Sequence, residues 1–235
     1  MKNALYMTDS YLKEFEATVE SVKDGKFVVL SQTAFYPNGG GQPHDTGSMV
    51  CNGEEYLVVF VGKFSGSVSH EVSKPGLKAG DKVTCKVDWD RRYRHMRMHT
   101  AAHIIDAVLY KEAGALCTGN QLGLDKSRID FSLDVLDRDK IQKYVDMSNE
   151  WVKKAIDVKI YTLPREEALK IPGVIKLASV MPPEVSELRI VEIPDIDLQA
   201  DGGTQVKNTS EIGNISLVSV ENKGKNNRRM YFTLD

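Results

Sequence analysis

Lys82-Val-Thr-Cys-Lys-Val-Asp-Trp-Asp-Arg-Arg-Tyr-Arg-His-Met-Arg-Met-His-Thr-Ala-Ala-His103 carries the change of pattern on which the fold turns. Up to Val87 the apolar residues alternate, the period of a half-buried strand. From Asp88 onward Ala101, Ile104, Ile105, Val108 and Leu109 recur at helical spacing. They predict a core-facing stripe on a helix that runs to about Glu112. Asp88 or Asp90 can cap its start, and Gly114 lies just past its end. The strand-to-helix change therefore marks a domain boundary near Val87–Arg91.

Upstream, short apolar runs at Glu16–Val22, Lys26–Leu30, Tyr56–Val61, Ser67–Val72 and Lys82–Val87 are separated by Gly, Asn, Pro and Asp. Short strands so closely spaced predict a small barrel or sandwich. Downstream, Asp139–Ile156 reads as a helix, Asp157–Tyr161 as a strand, and Pro164 opens a short helix, where its missing N–H costs little. Glu187–Ile193 alternates like a strand. Asn214–Val220 and Arg228–Leu234 form a hairpin. The fold class is α+β, with a small β-barrel at residues 1–88 and an α+β domain at 89–235.

The 235 residues include 31 Lys+Arg and 33 Asp+Glu, a net charge of −2, with 41% hydrophobic residues. That excludes a disordered tail and a globally basic nucleic-acid sponge, though not a local basic stripe. Three cysteines far apart imply no disulfide framework, and a reducing compartment is the simplest home. The first residues lack the apolar run of a signal peptide, and no stretch approaches the roughly 18 apolar residues of a membrane span. The expectation is a cytoplasmic protein with no membrane association.

His99 and His103 stand four apart on the predicted helix, so both imidazoles face one side and can reach one ion. Imidazole suits zinc, although two histidines on a helix are as often solvated or part of a core. A second constellation, Asp195-Ile-Asp-Leu-Gln-Ala-Asp-Gly-Gly-Thr-Gln205, places Asp201 and Gln205 on either side of a Gly-Gly pair. It is either an ordinary polar turn or a tight loop aiming two side chains at one point. Joined to the histidines it gives His, His and Asp with a Gln oxygen, which leaves a position for water, as in hydrolytic zinc sites.

Phe35-Tyr-Pro-Asn-Gly-Gly-Gly-Gln-Pro-His-Asp-Thr-Gly47 holds three consecutive glycines, which lose much conformational freedom on folding. It reads either as a long hairpin loop or as a loop whose backbone must approach a ligand or another domain. Basic residues gather at Arg91, Arg92, Arg94 and Arg97, and at Lys223, Lys225, Arg228 and Arg229. They form either solvated faces or a phosphate-facing rim. His44, His70 and His95 read as structural or solvated, and Cys117 as a buried inert thiol.

Taken together, these strings resemble the alanyl-tRNA editing proteins, free-standing relatives of the editing domain of alanyl-tRNA synthetase. Asp88–His103 is similar to the family's first metal motif, Phe35–Gly47 to its glycine-rich loop, and Asp201–Gly213 to its second metal motif. Asp125–Phe131 and Arg228-Arg229 also match, so the resemblance spans nearly the whole chain in the family's order. It implies an N-terminal barrel followed by an editing domain of the medium-length form. It also implies hydrolysis, in trans, of the ester joining a wrong amino acid, chiefly serine, to tRNA(Ala). The chain would thus be an aminoacyl-tRNA deacylase, a carboxylic ester hydrolase, with no aminoacylation domain and no obligate protein partner.

The same resemblance implies a catalytic set of His99, His103 and Asp201 holding one zinc ion, with Gln205 as a further ligand. Thr33 and Gln42 would line the amino-acid pocket. Gly39, Gly40 and Gly41 would let the backbone approach the terminal adenosine. Arg91, Arg92, Arg94, Arg228 and Arg229 would take phosphates. One departure stands out. The family's second motif commonly reads Cys-Gly-Gly-Thr-His, whereas here Asp201 and Gln205 hold the cysteine and histidine positions. That leaves three outcomes: a His, His, Asp site open to water, a weak site, or a non-catalytic tRNA-binding module. A small-molecule metallohydrolase on the same scaffold is the remaining alternative.

Overall fold

The computed structural model describes residues 3–172, 174 and 185–235. The chain divides into two compact units, Met1–His95 and Met96–Asp235.

The first unit is a closed barrel of six strands: β1 (Glu14–Lys23), β2 (Phe27–Leu30), β3 (Gly47–Cys51), β4 (Glu54–Phe64), β5 (Ser67–Val72) and β6 (Lys82–Val87). Their order around the barrel is β1-β2-β5-β4-β3-β6, so β6 closes on both β1 and β3. Period-two alternation fills the interior with Phe15, Ala17, Val19, Val28, Met49, Val58, Val61, Val72, Val83 and Cys85. Pairing slips by one residue after Val19 and again after Val58, and such bulges bend strands into closure. β3 is absent from the sequence-based expectation because Gly47 and Ser48 hide its period behind the glycine-rich loop.

That loop turns tightly. Gly39 and Gln42 exchange both backbone hydrogen bonds, at 3.1 and 3.0 Å, around Gly40 and Gly41. Both have positive φ, at 59° and 83°, as a two-residue type I′ turn requires. Local turn geometry thus accounts for the glycine pair.

Helix α1 (Trp89–Ala113) starts where the pattern change predicts. Asp88 is the cap, since its Oδ1 accepts from the Arg91 backbone N–H at 3.3 Å. Gly114, at φ 63°, ends it, with a bond from Ala115 N–H back to Leu109 O at 3.3 Å. The first turns belong with the barrel because Arg92 is built into it. The rest is buried nearly all round (Ala101, Ala102, Ile104, Ile105, Ala107, Val108 and Leu109), so α1 is a central helix and not a one-faced surface one.

The second unit adds two antiparallel sheets. One has the order β12-β13-β8-β7, from β7 (Cys117–Gln121), β8 (Ser127–Phe131), β12 (Ile215–Gly224) and β13 (Asn227–Leu234). The other has the order β11-β10-β9, from β9 (Lys159–Pro164), β10 (Glu187–Ile193) and β11 (Asp197–Ala200). Helix α2 (Arg138–Lys153) is capped by Asp137, and α3 (Arg165–Ala168) follows Pro164. α2 stops three residues before the expected end because the chain turns left-handed at Ala155 (φ 52°). Strands β7, β8 and β11 escape sequence reading because charged and polar residues interrupt their short apolar runs. No helix among the described residues is long and apolar enough to cross a membrane.

Candidate metal centre

The second unit brings the two distant motifs together. His99 and His103 lie one turn apart on α1, their ring centroids 5.2 Å apart. β11 runs directly into the Asp201-Gly-Gly turn. Asp201 is anchored there by its backbone N–H to Arg189 O (3.1 Å) and by Gly203 N–H to its Oδ2 (2.8 Å). Asp201 Oδ1 then stands 3.5 Å from His99 Nε2, and Oδ2 stands 3.9 Å from His103 Nε2. One donor atom from each residue lies within 4.8 Å of the others, the only such group of His, Cys, Asp or Glu donors among the described residues.

For His99 and Asp201 the surroundings set the protonation states that ligation needs. Burial, helped by His103 and Arg189, lowers the His99 imidazole to about 4 against the pull of Asp201, so it is neutral. Burial would raise the Asp201 carboxyl, but His99, His103, Arg189 and the Gly203 N–H hold it well below the usual carboxylate range. Burial would lower His103, yet its bond to Asp197 and the nearby acidic charges raise it. Arg189, itself buried, donates to the Asp201 carbonyl at 2.8 Å and lies 3.7 Å from its Oδ2.

Gln205 is close to this cluster but oriented against ligation. Its Nε2 donates to Asp201 Oδ2 (3.0 Å) and lies 3.3 Å from His103 Nε2. A carboxylate only accepts, so the amide atom facing it must be the N–H₂. Its Oε1 accepts the Thr100 hydroxyl at 2.7 Å, and that hydroxyl in turn accepts from Val206 N–H at 3.2 Å. The expectation that the Gln205 oxygen faces the ion is therefore corrected: Gln205 braces the carboxylate.

Sequence reading missed Thr100, Arg189, Asp197 and Gln199. A signal was present for two of them. Asp197, Gln199 and Asp201 alternate along one side of a strand entering the turn, a period-two pattern.

The first unit holds the remaining candidates. Thr33, 4% exposed, donates its hydroxyl proton to His70 Nε2 (2.9 Å) and accepts from Phe35 N–H (3.1 Å). His70 donates from Nδ1 to Val28 O (3.0 Å), so its Nε2 can only accept from Thr33. Burial lowers His70 to about 4. Gln42 is buried at the end of the glycine turn.

Three of the basic residues are corrected as phosphate contacts. Arg92 is 0% exposed and ion-paired with Asp45, with further bonds to Ser10 O (2.9 Å) and Ala34 O. Arg228 is buried, its Nη1 bonding Asn222 Oδ1, Gly224 O and Asn227 O, and its Nη2 bonding Asp134 O. Arg229 grips Asp130 through two bonds of 2.6 and 2.8 Å. All three hold loops and strands together because their guanidinium donors meet carbonyls and carboxylates of the fold. Arg97 likewise bonds Ile212 O and Asp235 O. Arg91 and Arg94 stay half-buried. Cys117 is buried, and burial pushes its thiol far above the thiol range, so it supplies no nucleophile.

A family model of class II (A) tRNA synthetases matches residues 4–91. A model of the threonyl and alanyl tRNA synthetase second additional domain matches residues 188–231. A barrel and an α+β domain with those two likenesses define a synthetase-related protein. An alanyl-tRNA editing protein, AlaX-M, from Methanosarcina barkeri is 54% identical over the whole chain and 99% of its own length. Another from Saccharolobus solfataricus is 48% identical over the same shares. An alanine–tRNA ligase from Pyrococcus abyssi is 39% identical over 92% of this chain but 24% of its own. The chain belongs to the alanyl-tRNA editing protein family.

Proposed function

We propose that this protein is a trans-acting deacylase that hydrolyses the ester of tRNA(Ala) mischarged chiefly with serine, using one zinc ion at His99, His103 and Asp201. The observation that carries the reading is the convergence of these three donor groups in a chain that matches editing proteins end to end. The donor set fits a divalent ion: two imidazoles, one of them kept neutral by burial, and a carboxylate held ionised. A bound zinc ion there would supply Lewis-acid polarisation of the ester carbonyl and acidification of a water.

The chain's own residues do the rest. Gln205 and Gly203 hold Asp201 in place, and Arg189 stabilises its charge. Thr33 and Gln42 are the proposed contacts to the amino-acid side chain. With its proton given to His70, Thr33 can only accept from a substrate, which suits a serine hydroxyl and not an alanine methyl. A site that requires such a bond discriminates far better than one that selects on size. Gly39, Gly40 and Gly41 are proposed to admit the terminal adenosine, and Arg91 and Arg94 to face phosphates. The barrel, residues 1–88, and the editing domain, 89–235, act as one cytoplasmic enzyme.

The test is deacylation of seryl- and alanyl-tRNA(Ala) with zinc and with chelator. The reading requires faster loss of serine than in buffer, sparing of alanine, and loss of activity in His99→Ala. Salt-sensitive tRNA binding without deacylation would establish the binding-module reading instead.

A further inference from the structure

The two histidines of the cluster are not equivalent. His103 Nδ1 lies 2.7 Å from Asp197 Oδ2, a charge-assisted distance, and both groups are almost fully buried. Asp197 is itself fixed. It opens β11, and the Gln199 amide, two residues on along the same side of the strand, donates to both of its oxygens at 3.1 Å. A carboxylate in that position accepts a hydrogen bond from Nδ1–H, which leaves the His103 lone pair on Nε2, the atom that faces Asp201 and Gln205.

We infer that Asp197 is a positioning residue that fixes His103 as the Nδ1–H tautomer, so that its Nε2 is presented to a divalent cation together with His99 and Asp201. A free histidine prefers the other tautomer, so without Asp197 the ring must first move its proton or turn before it can ligate. Partners of this kind change metal affinity by about 10–100-fold. The inference rests on the metal site proposed above, and it adds a residue that belongs to neither metal motif.

The experiment uses the full chain and three variants: Asp197→Ala, Asp197→Asn and Asp197→Glu. Zinc affinity is measured by competition with a chromophoric chelator. The metal-free melting temperature is recorded for each protein. The His103 tautomer is read in metal-free protein by nitrogen-15 NMR during a pH titration, at the alkaline end where the ring's own shifts report the neutral form. Wild type should show Nδ1–H at His103. Asp197→Ala should lose that tautomer and bind zinc about 10–100-fold more weakly. Asp197→Asn, which keeps an acceptor oxygen, should fall between the two, and Asp197→Glu should recover part of the affinity. Wild-type zinc affinity in Asp197→Ala, with or without a lowered melting temperature, would leave Asp197 no positioning role and overturn the inference. Wild type with Nε2–H at His103 would overturn it as well. Wild type that binds no zinc at all would overturn the metal site itself, and the inference with it.

Discussion

Replacing Arg92 by methionine isolates what a buried guanidinium does in the barrel. The side chain is 0% exposed, and so is its partner Asp45. Arg92 Nε bonds both Asp45 oxygens at 3.0 Å, and Nη1 and Nη2 reach the carbonyls of Ser10 and Ala34. Methionine fills much of the same volume without any donor. Asp45 would then keep the Tyr36 N–H, at 2.6 Å, but lose its counter-charge at a fully buried position. Breaking a buried pair from one side costs about 3–5 kcal/mol. The two carbonyls left without Arg92 push toward the upper end of that range. For a chain of this size, that lowers the melting temperature by roughly 10 °C or more.

Urea unfolding followed by tryptophan fluorescence suits the measurement, because Trp89 lies in the first unit and Trp151 in the second. A Trp151→Phe background leaves Trp89 as the reporter of the barrel. The double variant Arg92→Met with Asp45→Leu should cost less than the sum of the single changes, because it removes the stranded charge. The salt dependence of tRNA binding by folded Arg92→Met should equal that of wild type. A loss of under about 1 kcal/mol, or a salt slope reduced by about one, would refute the reasoning and return Arg92 to the phosphate contacts.

His70 is buried and neutral, lowered to about 4 from an unfolded value near 6.5, so the unfolded chain takes up its proton first. Its contribution is complete above pH 6.5 and is lost as pH falls toward 4, about 3 kcal/mol in all. Urea midpoints of wild type and His70→Gln should therefore converge with acidification, and parallel curves would contradict this. Gly213 has φ 79°, and a Cβ there would come within 2.6 Å of Arg97 Nη2. Gly213→Ala should destabilise the second unit by about 1 kcal/mol or more in chemical denaturation. Gln205→Met removes the N–H donor to Asp201 but keeps the length of the side chain. It should weaken zinc binding in chelator competition with little change in melting temperature, whereas tighter binding would mean that Gln205 had been excluding the ion.

The parts of this protein that could be read from its sequence are those where local pattern and tertiary role agree. α1 is one, since Asp88 caps it, Gly114 ends it, and Ala101, Ile104, Ile105, Val108 and Leu109 keep helical spacing in its second half. The meeting of His99, His103 and Asp201 was legible through the resemblance of two linked motifs, which carries long-range information that spacing lacks. β3, β7, β8 and β11 were not legible, because Gly47 and Gly119 break the pattern of β3 and β7, because β8 and β11 are short and half polar, and because pairing with neighbours makes all of them strands. The basic residues misled for a physical reason. Sequence gives the charge of Arg92, Arg228 and Arg229 but not the carbonyls and carboxylates that the fold sets against them. Gln205 is similar, because the direction in which its amide faces depends on Thr100, 105 positions away.

The most direct test of the account is the rate of serine release from seryl-tRNA(Ala) by the metal-stripped full-length chain, before and after adding one equivalent of zinc, alongside His99→Ala and Asp201→Ala. The account predicts that stripped protein is inactive, that zinc restores release, that alanyl-tRNA(Ala) is spared, and that neither variant responds to the metal. Serine release that continues undiminished in stripped protein and in both variants would contradict it.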